Sequence, residues 1–179
     1  ASNASEIWRA EALSGDVAPS AVYADGKGYG VEVYSRFVAV RTGGTGDVTE
    51  SHLITVGEDE IPDITSPLAR GDRYWMLTTE AILTNWDVSD EALANEDAER
   101  MLWDMEMGRD MFHASPSLVG ETLYCLSDKG VLHVVSAGDT AEPIAQSKLD
   151  DPCHASPAFV DGRIVIRSRN YLWCLANTE

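Results

Sequence analysis

The phrase His-Ala-Ser-Pro stands twice in this chain, at His113–Pro116 and His154–Pro157, and both copies open the same kind of run. The first continues Ser117-Leu118-Val119-Gly120-Glu121-Thr122-Leu123-Tyr124, the second Ala158-Phe159-Val160-Asp161-Gly162-Arg163-Ile164-Val165. Fainter copies lie upstream, where Ser66-Pro67-Leu68 leads to Gly71-Asp72-Arg73-Tyr74-Trp75 and Ala18-Pro19-Ser20 leads to Asp25-Gly26-Lys27-Gly28-Tyr29. The motif prolines Pro19, Pro67, Pro116 and Pro157 are spaced by 48, 49 and 41 residues. A unit of that size cannot bury its apolar face alone and must stack on its neighbours, so the chain is an array.

The third copy shows what the unit contains. Ala114–Val119 is a short extended run, Gly120-Glu121 turns it, and Thr122–Ser127 is rich in strand formers. Asp128-Lys129-Gly130 makes a hairpin turn into Val131–Val135, and Pro143–Leu149 supplies a fourth, more polar strand. Four short antiparallel strands per repeat is the pattern of a β-propeller blade. The expected fold is therefore all-β: one propeller domain of four repeats at approximately 17–56, 65–107, 114–149 and 155–175. Residues 6–11, Glu6-Ile7-Trp8-Arg9-Ala10-Glu11, echo Met101-Leu102-Trp103-Asp104-Met105-Glu106 and read as a fourth strand lent to the last blade or to a neighbour. That phase suits half of a seven- or eight-bladed ring, a small closed four-bladed ring, or two copies completing one ring, because an unpaired edge must be covered. The acidic insertion Ser89–Glu99 reads as a solvated loop.

Charge narrows the partners. Apolar residues make up 44% of the chain, enough for a packed core, while the net charge is −17. Such a surface repels phosphate backbones and anionic bilayers, which excludes nucleic acid as a partner. No run of about 20 apolar residues is present to span a membrane. The three cysteines, Cys125, Cys153 and Cys174, have neither zinc-ligand spacing nor an even count, and read as small buried apolar side chains.

Candidate site residues come from the repeat itself. His113 and His154 each stand three places before a motif proline, and Asp16 holds that offset in the first repeat, with Ile64 in the second. Two imidazoles and a carboxylate facing one funnel could hold a divalent metal or a polar ligand, against the simpler reading that each histidine satisfies backbone groups where a loop meets a strand. Met105, Met107, Met111 and His113 invite a copper reading, but alternation puts Met101, Trp103, Met105 and Met107 on one strand face, as packing between blades requires. Trp8, Trp75, Trp86, Trp103 and Trp173 are spread over the strands and read as inter-blade filler. Thr42-Gly43-Gly44-Thr45-Gly46 follows a strand with no helix expected after it, and no catalytic set emerges.

The run Cys153–Ile164 followed by Tyr171-Leu172-Trp173-Cys174-Leu175 resembles the closing blade of bacterial pyrroloquinoline-quinone-like repeat propellers. That superfamily holds quinoprotein alcohol dehydrogenases and the outer-membrane assembly lipoprotein of the β-barrel machinery. The resemblance spans Trp8 to Leu175 and implies the C-terminal half of a larger propeller, closest in style to the non-enzymatic lipoprotein branch. The enzymes' docking segments and adjacent cysteines have no counterpart here, so none of their catalytic or calcium-binding residues carries over. What the resemblance implies is a scaffold without a cofactor that binds a protein or peptide partner, in a bacterial periplasm or outside the cell. The remaining blades would come from further chain or a second copy. The alternatives are a fragment of an oxidoreductase using pyrroloquinoline quinone with calcium, and a small-ligand or carbohydrate sensor using the axial funnel.

Overall fold

The computed structural model describes residues 4–15 and 18–176. A two-residue strand β1 (Trp8–Arg9) precedes the first repeat. The repeat itself gives β2 (Val22–Ala24), β3 (Lys27–Glu32), β4 (Arg36–Arg41), the short β5 (Gly46–Asp47), helix α1 (Thr49–His52) and β6 (Leu53–Gly57). The second gives β7 (Leu68–Arg70), β8 (Arg73–Leu77), β9 (Ile82–Asp87), helix α2 (Asp90–Ala94) and β10 (Met101–Glu106). The third gives β11 (Ser117–Val119), β12 (Thr122–Leu126), β13 (Val131–Ser136) and β14 (Pro143–Lys148), and the fourth β15 (Ala158–Val160), β16 (Arg163–Arg167) and β17 (Leu172–Ala176). Each repeat is one antiparallel sheet in chain order; the first three have four strands and the fourth has three.

Alternation along the strands gives each sheet two apolar faces, and consecutive sheets bury them against one another. Tyr29 and Phe37 of the first sheet meet Tyr74, Met76 and Trp86 of the second. Phe37 and Tyr74 stack with centroids 4.9 Å apart, and Trp86 stands edge-on to Phe37 at 5.0 Å. The second sheet turns Trp75, Leu77 and Leu83 to Leu123, Cys125 and Val135 of the third, which turns Leu126 and Leu132 to Ile166 and Trp173 of the fourth. Four of the five tryptophans thus lie between sheets, as expected of filler.

The motif serines tie the sheets together. Ser66 Oγ accepts from Ser20 N at 3.0 Å, and Ser115 Oγ accepts from Ser66 N at 2.8 Å, so the first three motif loops are fastened in succession. The serines of the second and third Ser-Pro motifs have this structural role.

Several expectations need correction. Residues 6–11 do not complete the last sheet: β1 runs parallel to β5, with Trp8 opposite Gly46 and Arg9 opposite Asp47. The segment runs on to Leu13, which packs over Gly30 of the first sheet; a methyl group on Gly30 would stand 3.1 Å from Leu13 Cδ1. Trp8 and Trp103 therefore sit in unrelated surroundings. Ser89–Glu99 is no plain loop, because Ser89 Oγ accepts from Ala92 N and caps α2, whose Leu93 is buried in the first cluster. Arg100 holds this insertion by donating to the carbonyls of Ala92, Asn95 and Val56. The glycine run at 42–46 is followed by the single-turn α1, so the fourth strand of the first sheet starts at Leu53 rather than Ser51. A register shift between Met101 and Trp103 sends Met101 to the first cluster and Trp103 and Met105 to the second, so these residues do not share one face. Cys125 and Cys153 are buried, but Cys174 is exposed.

The hairpin turn of the third sheet packs tightly under the loop that leads to the fourth at Gly130, with φ +79°, where a Cβ would fall 2.5 Å from Asp151 O and 2.8 Å from Leu149 O. Both neighbours are backbone and cannot swing aside. Gly130→Ala is expected to destabilise the chain by about 1–3 kcal/mol, measured as a lower urea midpoint. Gly120→Ala, with φ +59° but open space around it, should cost less.

Candidate functional site

The two motif histidines are brought together. His113 precedes β11 and His154 precedes β15, and their rings lie 4.9 Å apart at an interplanar angle of 32°. His154 is exposed, while His113 is half-buried and its Nδ1 has no hydrogen-bond partner. Asp16, the third member expected at this mouth, lies outside the described residues. Ile64, the equivalent in the second repeat, is partly exposed. Among the described residues no group of three His, Cys, Asp or Glu side chains converges as metal ligands. Two imidazoles alone make a weak hold on a divalent ion, which asks for three or four donors. A cleft of about 180 Å³ opens beside His154, lined by Pro152, Arg167, Ser168 and Arg169, and its basic rim suits a carboxylate better than a cation.

Below the histidines runs a set of carboxylate pins that the repeat comparison did not reveal. Asp110 accepts from Ser127 Oγ at 3.1 Å and from Lys129 Nζ at 2.7 Å. Asp151 accepts from Ser168 Oγ, from Asn170 N at 2.7 Å and from Asn170 Nδ2 at 2.7 Å. Asp63 accepts from Thr79 Oγ1 in the same way. In the second, third and fourth repeats an aspartate of the incoming loop grips the turn of the central hairpin, and the same serines also accept backbone N–H groups, from Val131 after Ser127 and from Tyr171 after Ser168. The signal was present as Asp followed 16 or 17 residues later by Thr or Ser; Asp110 and Asp151 even share one offset before their prolines, but Asp63 stands two places closer to Pro67, so the set is incomplete in an alignment on the proline.

These bonds favour the ionised carboxylates. The Lys129 ammonium, then Ser127, holds Asp110 below the ordinary range, and the Ser168 hydroxyl, with Asn170 beside it, does the same for Asp151. Burial pushes the Cys125 thiol up to about 12, and burial with the nearby Asp151 carboxylate raises Cys153, so neither is a nucleophile at neutral pH.

A larger groove, about 870 Å³, lies between the third and fourth sheets at their outer rim. Tyr124 and Val134 form one wall, Phe159, Ile164 and Leu175 the other, and Ala145 and Ser147 of β14 its lip. Sequence reasoning missed it because it is made by a strand that the fourth sheet lacks.

The sheets and their order define a β-propeller-like fold. The chain is similar to the computationally designed Ika4 protein, with a TM-score of 0.70 and 8% identity over 97% of this chain and 99% of that one. It is similar to the designed Ika8 protein (TM-score 0.73, 8% identity, 96% of this chain, 49% of that one). It also matches BamB from Moraxella catarrhalis (TM-score 0.60, 12% identity, 84% and 40%) and the WD40 domain of Toxoplasma gondii coronin (0.66, 10%, 96% and 46%). The chain thus spans less than half the length of three of these four. At these identities the likeness shows the fold alone. No known protein family and no curated protein matches the sequence. No helix among the described residues is long and apolar enough to cross a membrane.

Because the folded-state pKa of Asp110 and Asp151 is depressed, their stabilisation is complete above the ordinary carboxylate pKa of about 4 and is lost as pH falls through the lower folded values. Thermal unfolding should show Asp151→Asn below wild type at pH 7, with the two curves converging on acidification. A constant gap down to strongly acid pH would mean that the carboxylate charge plays no part.

Proposed function

We propose that this chain is a non-catalytic β-propeller scaffold of PQQ-like repeats that holds an extended peptide segment of a protein partner. The observation that carries the reading is the unfilled place beside β17. In the other three sheets a fourth strand pairs antiparallel with the third: β6 on β4, β10 on β9 and β14 on β13. In the fourth sheet β17 is an edge strand, its backbone groups face outward, and the groove beside it is apolar. An extended peptide adding to such an edge gains main-chain hydrogen bonds, and alternate side chains fill the groove.

The second sheet shows which peptide fits. There β10 sets Trp103 and Met105 against the third sheet while Leu102, Asp104 and Glu106 face solvent. A segment with large apolar residues at every second position satisfies the groove in the same manner, and the basic residues near it, Lys148 and Arg163, suit acidic residues between them.

A fluorescein-labelled, end-capped peptide of the sequence Met101–Met107 is a probe of that chemistry. Anisotropy should show saturable binding, weakened at least tenfold by Ser147→Arg, which fills the lip of the groove without touching the core. Absence of saturable binding to the wild-type chain would contradict the reading.

A further inference from the structure

The far face of the fourth sheet is uncovered, and its composition identifies what covers it. Cross-strand register places Val160, Arg163, Val165, Arg167, Leu172 and Cys174 together on that face, opposite the side packed on the third sheet. At the corresponding positions the third sheet turns Tyr124, Leu126, Leu132 and Val134 to its neighbour. Here the pattern is half apolar and half basic, and it meets water: Leu172 is 74% exposed and Val160 53%. Of the 13 lysines and arginines, Arg163, Arg167, Arg169 and Lys148 lie in or beside this sheet, and among the described residues none makes an ion pair. In a chain of net charge −17, four of the six lysines and arginines without an ion pair among the described residues thus lie at one end of the arc, Arg100 and Arg109 being the other two.

The opposite end carries the complement. Tyr23 points away from the first apolar cluster, since Val22 and Ala24 on either side belong to it. Tyr23 and Ile7 are each 66% exposed. Glu11, whose N–H donates to Thr49 Oγ1, and Glu50, the next residue of α1, are exposed and without an ion pair among the described residues. One end therefore offers apolar side chains with unpaired arginines, the other exposed apolar side chains with unpaired glutamates. The arc also matches 49% of the Ika8 chain over 96% of its own length, so a fold of this type continues through about as much chain again.

We propose that two copies of this chain associate head to tail, the open face of each fourth sheet seated on the first-sheet end of the other copy. Two such contacts close on themselves, which stops growth at the dimer. The surface used is the opposite side of the fourth sheet from the peptide groove; Val160 and Arg163 border both, whereas Arg167, Leu172 and Cys174 belong to the open face alone and keep the dimer and the peptide reading separable.

Light scattering on the eluting protein tests this. The wild-type chain should shift, with rising concentration, from 19.5 kDa to twice that mass. The Arg167→Glu variant should associate at least tenfold more weakly, as should Glu11→Arg/Glu50→Arg, and an equimolar mixture of the two should recover the dimer because every contact is again complementary. Cys174, the exposed thiol on the face, reports independently: its alkylation rate should fall severalfold as the wild type dimerises and stay constant in either variant. Circular dichroism confirms that each variant is folded. A chain that stays at 19.5 kDa throughout overturns the proposal, as does a dimer indifferent to charge reversal in which Cys174 reacts at the monomer's rate. Peptide binding by a chain that never dimerises would leave the peptide reading in place and remove this one.

Discussion

Burial of sheet faces against the next sheet is the constraint from which the rest of this structure follows. No single sheet here could stand alone, since three or four short strands with two apolar faces leave half their surface in water. Three contacts between consecutive sheets resolve this for the inner faces, and the second sheet, covered on both sides, has its whole β8 core from Tyr74 to Leu77 removed from solvent. The ends of the arc have no such neighbour. At the first sheet the N-terminal segment lies across the exposed side, with Leu13 against Gly30. At the fourth sheet nothing among the described residues plays that part, and both the groove and the basic face follow from it.

The hydrogen-bonded details serve the same end. Motif serines link one loop to the next, and aspartates grip the hairpin turns, which holds each sheet at the angle its neighbour requires. The two histidines stack as a by-product of equivalent positions lying side by side. That explanation accounts for their recurrence without asking them to bind anything.

The strands were legible in the sequence because alternation and turn residues are local signals. Thr122–Leu126 and Val131–Ser136 can be read directly from strand formers flanking Asp-Lys-Gly, and the adjacency of His113 and His154 from equal offsets to the motif prolines. What alternation does not specify is a partner. Ile7-Trp8-Arg9 looks like a fourth strand in pattern, yet its partner is decided by the β5 backbone and by the room Gly30 leaves for Leu13, which are properties of the folded first sheet. The bulge at Met101 and Trp103 likewise inverts a face without leaving a mark in the residue pattern. Helix α2 did have a readable start, Ser89 followed by Asp90 and Glu91, but a five-residue helix carries too little periodicity to stand out from an acidic loop. The groove escaped for a different reason: the pattern showed that the last repeat needs a fourth strand and offered residues 6–11 for it, but that segment pairs with β5, so among the described residues the place beside β17 stays open.

Native-state hydrogen exchange, followed by mass spectrometry in dilute solution, addresses the central claim most directly. If stability resides in face-to-face contacts between successive sheets, amides of β8 and β9, buried from both sides, should be the slowest to exchange, and those of β16 and β17 markedly faster. Equal protection across the second and fourth sheets would contradict the account, because it would mean that the fourth sheet is held by something other than the one neighbour it packs against.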